Sequence, residues 1–254
     1  MANVLCISSQ TVWGPVGNSA AVPALQCQGH GVLQIPTVLL SNHPGHGKPI
    51  GQSTPAQLLG EMLAKLVVLQ ASQSCTAVMT GYFADAEQVA VVAQHVASMK
   101  LNNPKLMILV DPVIGDHGAL YVPEATAIAI RDQLLPLATI ATPNLFELAW
   151  LTNDMNAQDS PEVAALNFHI PEVIVTSVPR VPDQLATLLV QKNAVVEHKT
   201  KHLKQVPHGT GDYLAGLYLA FRLTTSAEDA FAAACKKLDS AIAKSAGTAV
   251  LHVV

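Results

Sequence analysis

The sequence predicts an α/β fold in which a central, mostly parallel sheet is flanked by helices and carries a small antiparallel hairpin at one edge. Three observations predict it. Near-continuous apolar runs at residues 4–8, 32–39, 77–80, 106–110 and 173–176 have the length of strands buried on both faces. Between them, residues 18–29, 55–70, 85–100 and 124–134 carry apolar side chains at helical spacing. Strand and helix in alternation build a doubly wound sheet through right-handed crossovers. Residues 185–191 and 194–199, joined through Lys192-Asn193, break the alternation and read as the edge hairpin.

The helical assignments rest on local chemistry. In residues 85–100, Val89, Val92, Val96 and Met99 fall on one face, Asp85 is placed to cap the helix, and Glu87 lies in its first turn. The end of the chain is helical, with one helix from about Gly209 to Arg222 and another from Ser226 to about Ala246. The second has a Ser cap, Glu228 and Asp229 in its first turn and Lys244 near its end, all suited to the helix dipole. Its apolar stripe is Phe231, Cys235, Leu238 and Ile242. No repeat or linker interrupts the chain, so residues 1–254 are expected to form a single domain, with residues 40–52 as its most flexible loop.

Composition excludes several function classes. Half of the 254 residues are hydrophobic and 13% are charged, which describes a chain with a well-filled core. A net charge of −4 with only 14 Lys and Arg argues against nucleic acid as a partner, because binding a phosphate backbone needs a clustered basic surface. No apolar run reaches the roughly 20 residues of a membrane span. The N-terminus lacks a basic segment before its apolar one, so no signal peptide is expected. Cys6, Cys27, Cys75 and Cys235 have no CxxC spacing and read as buried small hydrophobes in a reducing cytoplasm.

Candidate chemistry concentrates at the ends of the predicted strands. Pro207-His208-Gly209-Thr210-Gly211-Asp212 precedes an apolar helix. Two glycines at a helix start let the backbone N–H groups of Gly209, Thr210 and Gly211 converge with the positive end of the dipole as an anion hole. Asp212 beside them is placed to accept a hydroxyl proton, and the helix N-terminus is expected to keep it ionised. The alternative is a Gly-rich cap with Asp212 as an ordinary first-turn acid. Asp111 ends a hydrophobic strand before Pro112, at the sheet edge where open α/β folds bind ligands. It can hold Mg²⁺ through water or simply cap the strand. Thr142-Pro143-Asn144-Leu145-Phe146-Glu147 repeats the pattern, with Asn144 and Glu147 spaced as a capping box and Glu147 able to reach metal-bound water.

The turn from Ser8 to Ala20 places Ser9 where it can hydrogen-bond a substrate, with Asn18 or Ser19 as the expected helix cap. Residues 41–48 read as a mobile loop that closes over a ligand. His43 and His46 lie three apart without a third ligand nearby in sequence, so metal binding is not expected there. Walker A, GxGxxG and GxSxG patterns are absent.

Together these segments resemble the pyridoxal kinases of the ribokinase superfamily, over nearly the whole chain. The resemblance rests on Gly17-Asn18-Ser19-Ala20-Ala21, Ser41-Asn42-His43, Thr80-Gly81-Tyr82 with Ala86-Glu87-Gln88, Asp111–Asp116, Thr142–Glu147 and Gly209–Asp212. It implies a ribokinase-like three-layer fold and transfer of the ATP γ-phosphate to the 5′-hydroxyl of pyridoxal, pyridoxine or pyridoxamine. It implies Asp212 as base and the Gly209–Gly211 backbone as anion hole. Ser9, His43 and Tyr82 then contact the ring of the acceptor, while Asp111, Thr142 and Glu147 lie on the Mg·ATP side, Asp111 and Glu147 toward the metal. Thr176 and Ser177 match a nucleotide phosphate contact. Mg²⁺, K⁺ and a homodimer are also implied.

The chain departs from the pattern at Pro44 and Gly45, in a short segment between Glu147 and Gly209, and at His208, which is expected to fill space. Two other readings stand beside this one: a hydroxymethylpyrimidine kinase with the same Gly-Thr-Gly-Asp turn, and a silent carrier of pyridoxal phosphate.

Overall fold

Successive residues of the central strands point to opposite faces of one sheet, and both faces are buried. Val4 and Cys6 face one way and pack with Ala77, Met79 and Leu109; Leu5 and Ile7 face the other with Val78, Ile108 and Val110. This period of two explains why the strands read as unbroken apolar runs. The computed structural model describes residues 2–154, 156–203 and 205–253.

The chain runs through β1 (Asn3–Trp13), α1 (Asn18–Gln26), β2 (Gly31–Asn42), β3 (Gly51–Ser53), α2 (Ala56–Val68), β4 (Cys75–Thr80) and α3 (Ala86–Asn102). It continues through β5 (Met107–Val110), β6 (Gly115–Asp116), β7 (Ala119–Leu120), α4 (Glu124–Ala129), β8 (Ile140–Ala141), α5 (Leu145–Thr152) and α6 (Pro161–Asn167). It ends with β9 (Glu172–Arg180), β10 (Gln184–Gln191), β11 (Ala194–Lys201), α7 (Thr210–Arg222) and α8 (Ala227–Lys244). Among the described residues the main sheet has the order β11-β10-β9-β8-β5-β4-β1-β2-β3. The strands from β2 to β9 in that order are parallel, while β10, β11 and β3 pair antiparallel. Helices α1, α7 and α8 cover one face, and α2, α3 and α4 cover the other.

Topology places the site. From β1 the chain crosses to β2 on one side, whereas from β4 it crosses to β5 on the other, so a crevice opens beyond the carboxyl ends of β1 and β4. Register aligns those ends: Ile7 pairs with Thr80, Thr80 with Val110, and Val110 with Ala141. The next residues along these strands are Ser8, Gly81, Asp111 and Thr142, which therefore share one edge.

Most predicted elements form, with instructive differences. Asp85 accepts from Gln88 N at 2.9 Å, and Val89, Val92 and Val96 are fully buried as their spacing required. Residues 40–52 are more ordered than expected, because β2 extends to Asn42 and pairs with β3 around a short turn at Pro44–His46. The helix predicted over residues 124–134 ends at Ala129 and widens into a π turn at Ile130–Leu134, ahead of Pro136. Neither Asn18 nor Ser19 caps α1; Gly17 precedes it at φ 55°, and Asn18 instead turns inward to donate to the carbonyls of Ser8 and Ile35. Cys27 is exposed rather than buried, since it lies just past α1 on the outer surface. The short α6 and the β6–β7 hairpin lie outside the predicted elements, being too brief for a periodic signal.

Candidate active site

α7 starts where it does because residue 209 is glycine. Gly209 has φ 94°, and a Cβ there would collide with the carbonyl oxygen of Pro15 in the turn after β1. The first bond within the helix runs from Tyr213 N to Gly209 O at 2.9 Å, so the N–H groups of Thr210, Gly211 and Asp212 have no partner inside the helix. Beside Gly211 the space is open: a Cβ there would meet nothing within 4 Å. The free N–H groups of Thr210 and Gly211, the positive end of a 13-residue helix and open space together suit an anion.

Asp212, partly exposed in this cleft, faces the backbone N–H of Gly17 as well as its own. Burial pushes its carboxyl up to about 6, and those two N–H groups oppose the shift. The helix N-terminus favours the ionised form, as expected from sequence, and desolvation works against it. The group is still mostly ionised at neutral pH and is a stronger base than an ordinary aspartate.

A group of acids adjoins it. Asp111, buried at the end of β5, is raised well above the ordinary carboxylate range by burial, then by the charges of Asp212 and Glu147, while the Thr142 hydroxyl opposes this. That hydroxyl makes no well-formed hydrogen bond of its own, so one polar atom on the acidic wall is unsatisfied. Glu147 completes a capping box with Asn144 and accepts backbone N–H bonds from Ile114 at 2.9 Å and Asn144 at 2.9 Å. Burial pushes it up to about 7 despite those bonds. Its carboxylate thus ties the loop after β5 to the start of α5.

The phenol of Tyr121, just after β7, feels the charges of Glu147, Asp111, Asp116 and Asp212, although burial is the larger reason its pKa is raised. Among the described residues no group of three His, Cys, Asp or Glu is arranged to hold a metal directly. Buried acids of raised pKa with a spare hydroxyl suit a hydrated Mg²⁺ better than a stripped ion, because Mg²⁺ keeps several waters.

On the other side of Asp212, Ser9 is buried against Gly17, where a Cβ would strike the Ser9 hydroxyl. Tyr82 N donates to Ser8 Oγ at 3.2 Å, which holds the start of the segment after β4 against β1. His43 lies in the loop after β2, its ring 4.2 Å from that of His208. Thr176 and Ser177 lie on β9, where Thr176 bridges to Asn144; Ser177 is exposed and takes a left-handed φ of 60°. Asp111, Thr142, Glu147 and Asp212 therefore converge, with Ser9 joined to them through Gly17 and His43 through His208. Thr176 and Ser177 stand further along the same edge. Sequence reasoning missed roles for Gly17, Tyr121, His46 and Trp13, since only packing brings them to the cleft.

This arrangement can be compared with known proteins. A family described as phosphomethylpyrimidine kinase matches residues 25–252. A pyridoxine/pyridoxal/pyridoxamine kinase of Bordetella avium is 35% identical over 251 residues, covering 95% of this chain and 84% of that protein. The chain belongs to the pyridoxal kinases of the ribokinase superfamily. Within that family, a pyridoxal kinase of Corynebacterium diphtheriae is 32% identical over 85% of this chain and 79% of its own length. The family fold extends over the entire chain: a pyridoxal kinase from Leishmania donovani, solved with ADP and pyridoxamine, superposes with a TM-score of 0.92 at 29% identity, covering 100% of this chain and 93% of that one.

Proposed function

We propose that this protein transfers the γ-phosphoryl group of ATP to the 5′-hydroxyl of pyridoxal, and of pyridoxine and pyridoxamine. The observation that carries this reading is Asp212 itself: a carboxylate with a pKa near 6, set beside the unpartnered N–H groups of Thr210 and Gly211 at the start of α7. Asp212 takes the hydroxyl proton as the acceptor oxygen attacks. Since a carboxylate is a weak base for an alcohol, the proton moves late in a loose transition state. The backbone of Gly209–Gly211 receives the charge that develops on the transferred group.

Asp111 and Thr142 would hold a hydrated Mg²⁺, with Glu147 reaching it through water. The ion would supply counter-charge to the phosphates of the nucleotide. Thr176 and Ser177 contact nucleotide phosphates from β9, and Ser9, His43 and Tyr82 form the wall around the pyridine ring. The same reading makes K⁺ a second activating ion.

It also makes the protein a single-domain cytoplasmic homodimer. Val12, Leu39 and Ile50 line one apolar hollow at the β2–β3 edge and are 81%, 50% and 83% exposed, which supports burial against a second copy. The free, exposed Cys27 suits a reducing compartment, and among the described residues no helix is long and apolar enough to cross a membrane.

The test is a parallel assay of Mg·ATP with pyridoxal, pyridoxine, pyridoxamine and hydroxymethylpyrimidine, separating phosphorylated products by chromatography. The B6 compounds are expected to be the better acceptors. A preference for the pyrimidine would transfer the protein to thiamine synthesis, and tight pyridoxal binding without turnover would make it a carrier.

A further inference from the structure

Four aromatic rings meet where the loop after β2 lies against the start of α7. The imidazoles of His43 and His208 stack with 4.2 Å between centroids and 35° between planes. His46 stands edge-on to both, 6.2 Å from His43 and 5.6 Å from His208, and packs on the Trp13 indole at 4.4 Å. His43 and His46 belong to the loop, Trp13 ends β1, and His208 directly precedes Gly209.

Small residues make this contact possible. A Cβ on Gly45 would collide with the His208 ring, and one on Gly14 would press on His46 at 3.2 Å. Gly45 N donates to His43 Nδ1 at 3.1 Å, which puts the proton of the neutral ring on Nε2. Burial and the neighbouring imidazoles push His43 down to about 4, and burial with His46 also lowers His208. Both shifts favour the neutral form of these two stacked rings. The rings of the cluster are not arranged to hold a metal.

We propose that His208 is a positioning residue: its ring ties the loop at residues 41–48 to the Gly209–Asp212 turn, so that closing the loop over the acceptor and setting the anion hole are one event. This rests on the kinase reading above. The backbone supports it, because Gly209 is pinned against Pro15 on one side and His208, its neighbour, is held by the loop on the other. Stacked ring pairs contribute roughly a 2- to 10-fold preference, enough to bias a loop without locking it.

The experiment compares wild type, His208→Ala and His208→Phe, each in a Trp150→Phe background so that Trp13 is the one remaining tryptophan. His208→Ala is expected to raise KM for pyridoxal and lower kcat by roughly 2- to 10-fold each, with KM for ATP unchanged. His208→Phe is expected to restore most of both, since it keeps a ring without the nitrogens. Without any substrate, Trp13 fluorescence in the alanine variant is expected to become more accessible to a neutral quencher. The proposal is overturned if the alanine variant matches wild type in these constants and in quenching, or if a folded phenylalanine variant is as impaired as alanine. Absence of turnover in wild type would refute the kinase reading instead, and the quenching comparison would still decide whether His208 holds the loop.

Discussion

The α-carbon of Gly209 lies against the carbonyl oxygen of Pro15, so the turn after the first strand and the start of α7 form one surface. Gly17, in the same turn, meets the Asp212 carboxylate through its N–H. The end of the cleft around Asp212 is thus built from two segments at opposite ends of the chain.

Substitutions at the two glycines of the α7 turn are expected to separate folding from chemistry. Gly209→Ala places a side chain at φ 94° and into Pro15. It is expected to destabilise the protein by about 1–3 kcal/mol and, by displacing the turn, to lower kcat by roughly 10- to 100-fold. Gly211→Ala meets no protein atom within 4 Å, so its melting temperature is expected to hold while activity falls, because the methyl group occupies the space beside the free N–H groups. Thermal unfolding and kcat for both variants check this.

Activity is expected to fall in acid. As the proposed base, Asp212 has to be deprotonated, and in the free protein its carboxyl is raised to about 6. The kcat/KM for pyridoxal, which reports the free enzyme, is expected to drop as pH falls through about 6. A profile flat down to pH 4.5 would contradict this.

Stability is expected to show the opposite dependence. The folded protein holds the Asp212 proton more tightly than its ordinary value of 3.8 allows. Its contribution is therefore fully present below 3.8 and is lost as pH rises through about 6. Asp212→Asn removes that loss, so the variant is expected to be more stable than wild type at pH 8 by up to about 3 kcal/mol, with the gap closing toward pH 4. Melting curves across this range measure it.

Glu147 is expected to matter first as a structural group. Its carboxylate accepts from Ile114 N and Asn144 N, each at 2.9 Å, in a buried setting. Glu147→Ala leaves those donors unsatisfied, at about 1–3 kcal/mol each. A lowered urea midpoint with an unchanged slope is the expected result.

These predictions mark what could be read in the sequence. The cap of Asp85 and the Asn144–Glu147 box were legible because each is closed within four residues. Asp111 and Thr142 were legible because a strand end is a local feature and parallel register aligns neighbouring ends. The Gly17–Asp212 contact, the acids around Tyr121 and the His43–His208 stack were not, since each joins distant segments only after the sheet has formed. The ionised state of Asp212 was legible from its helix position, whereas the upward shift was not, because desolvation belongs to the folded cleft.

The most direct test of the central claim is pyridoxal 5′-phosphate formation from Mg·ATP and pyridoxal by wild type and by Asp212→Asn, with nucleotide binding measured alongside. The account predicts turnover by wild type, a loss of kcat of about 10²–10⁴-fold in the variant, and retained nucleotide binding. Asp212→Asn turning over at the wild-type rate would contradict it.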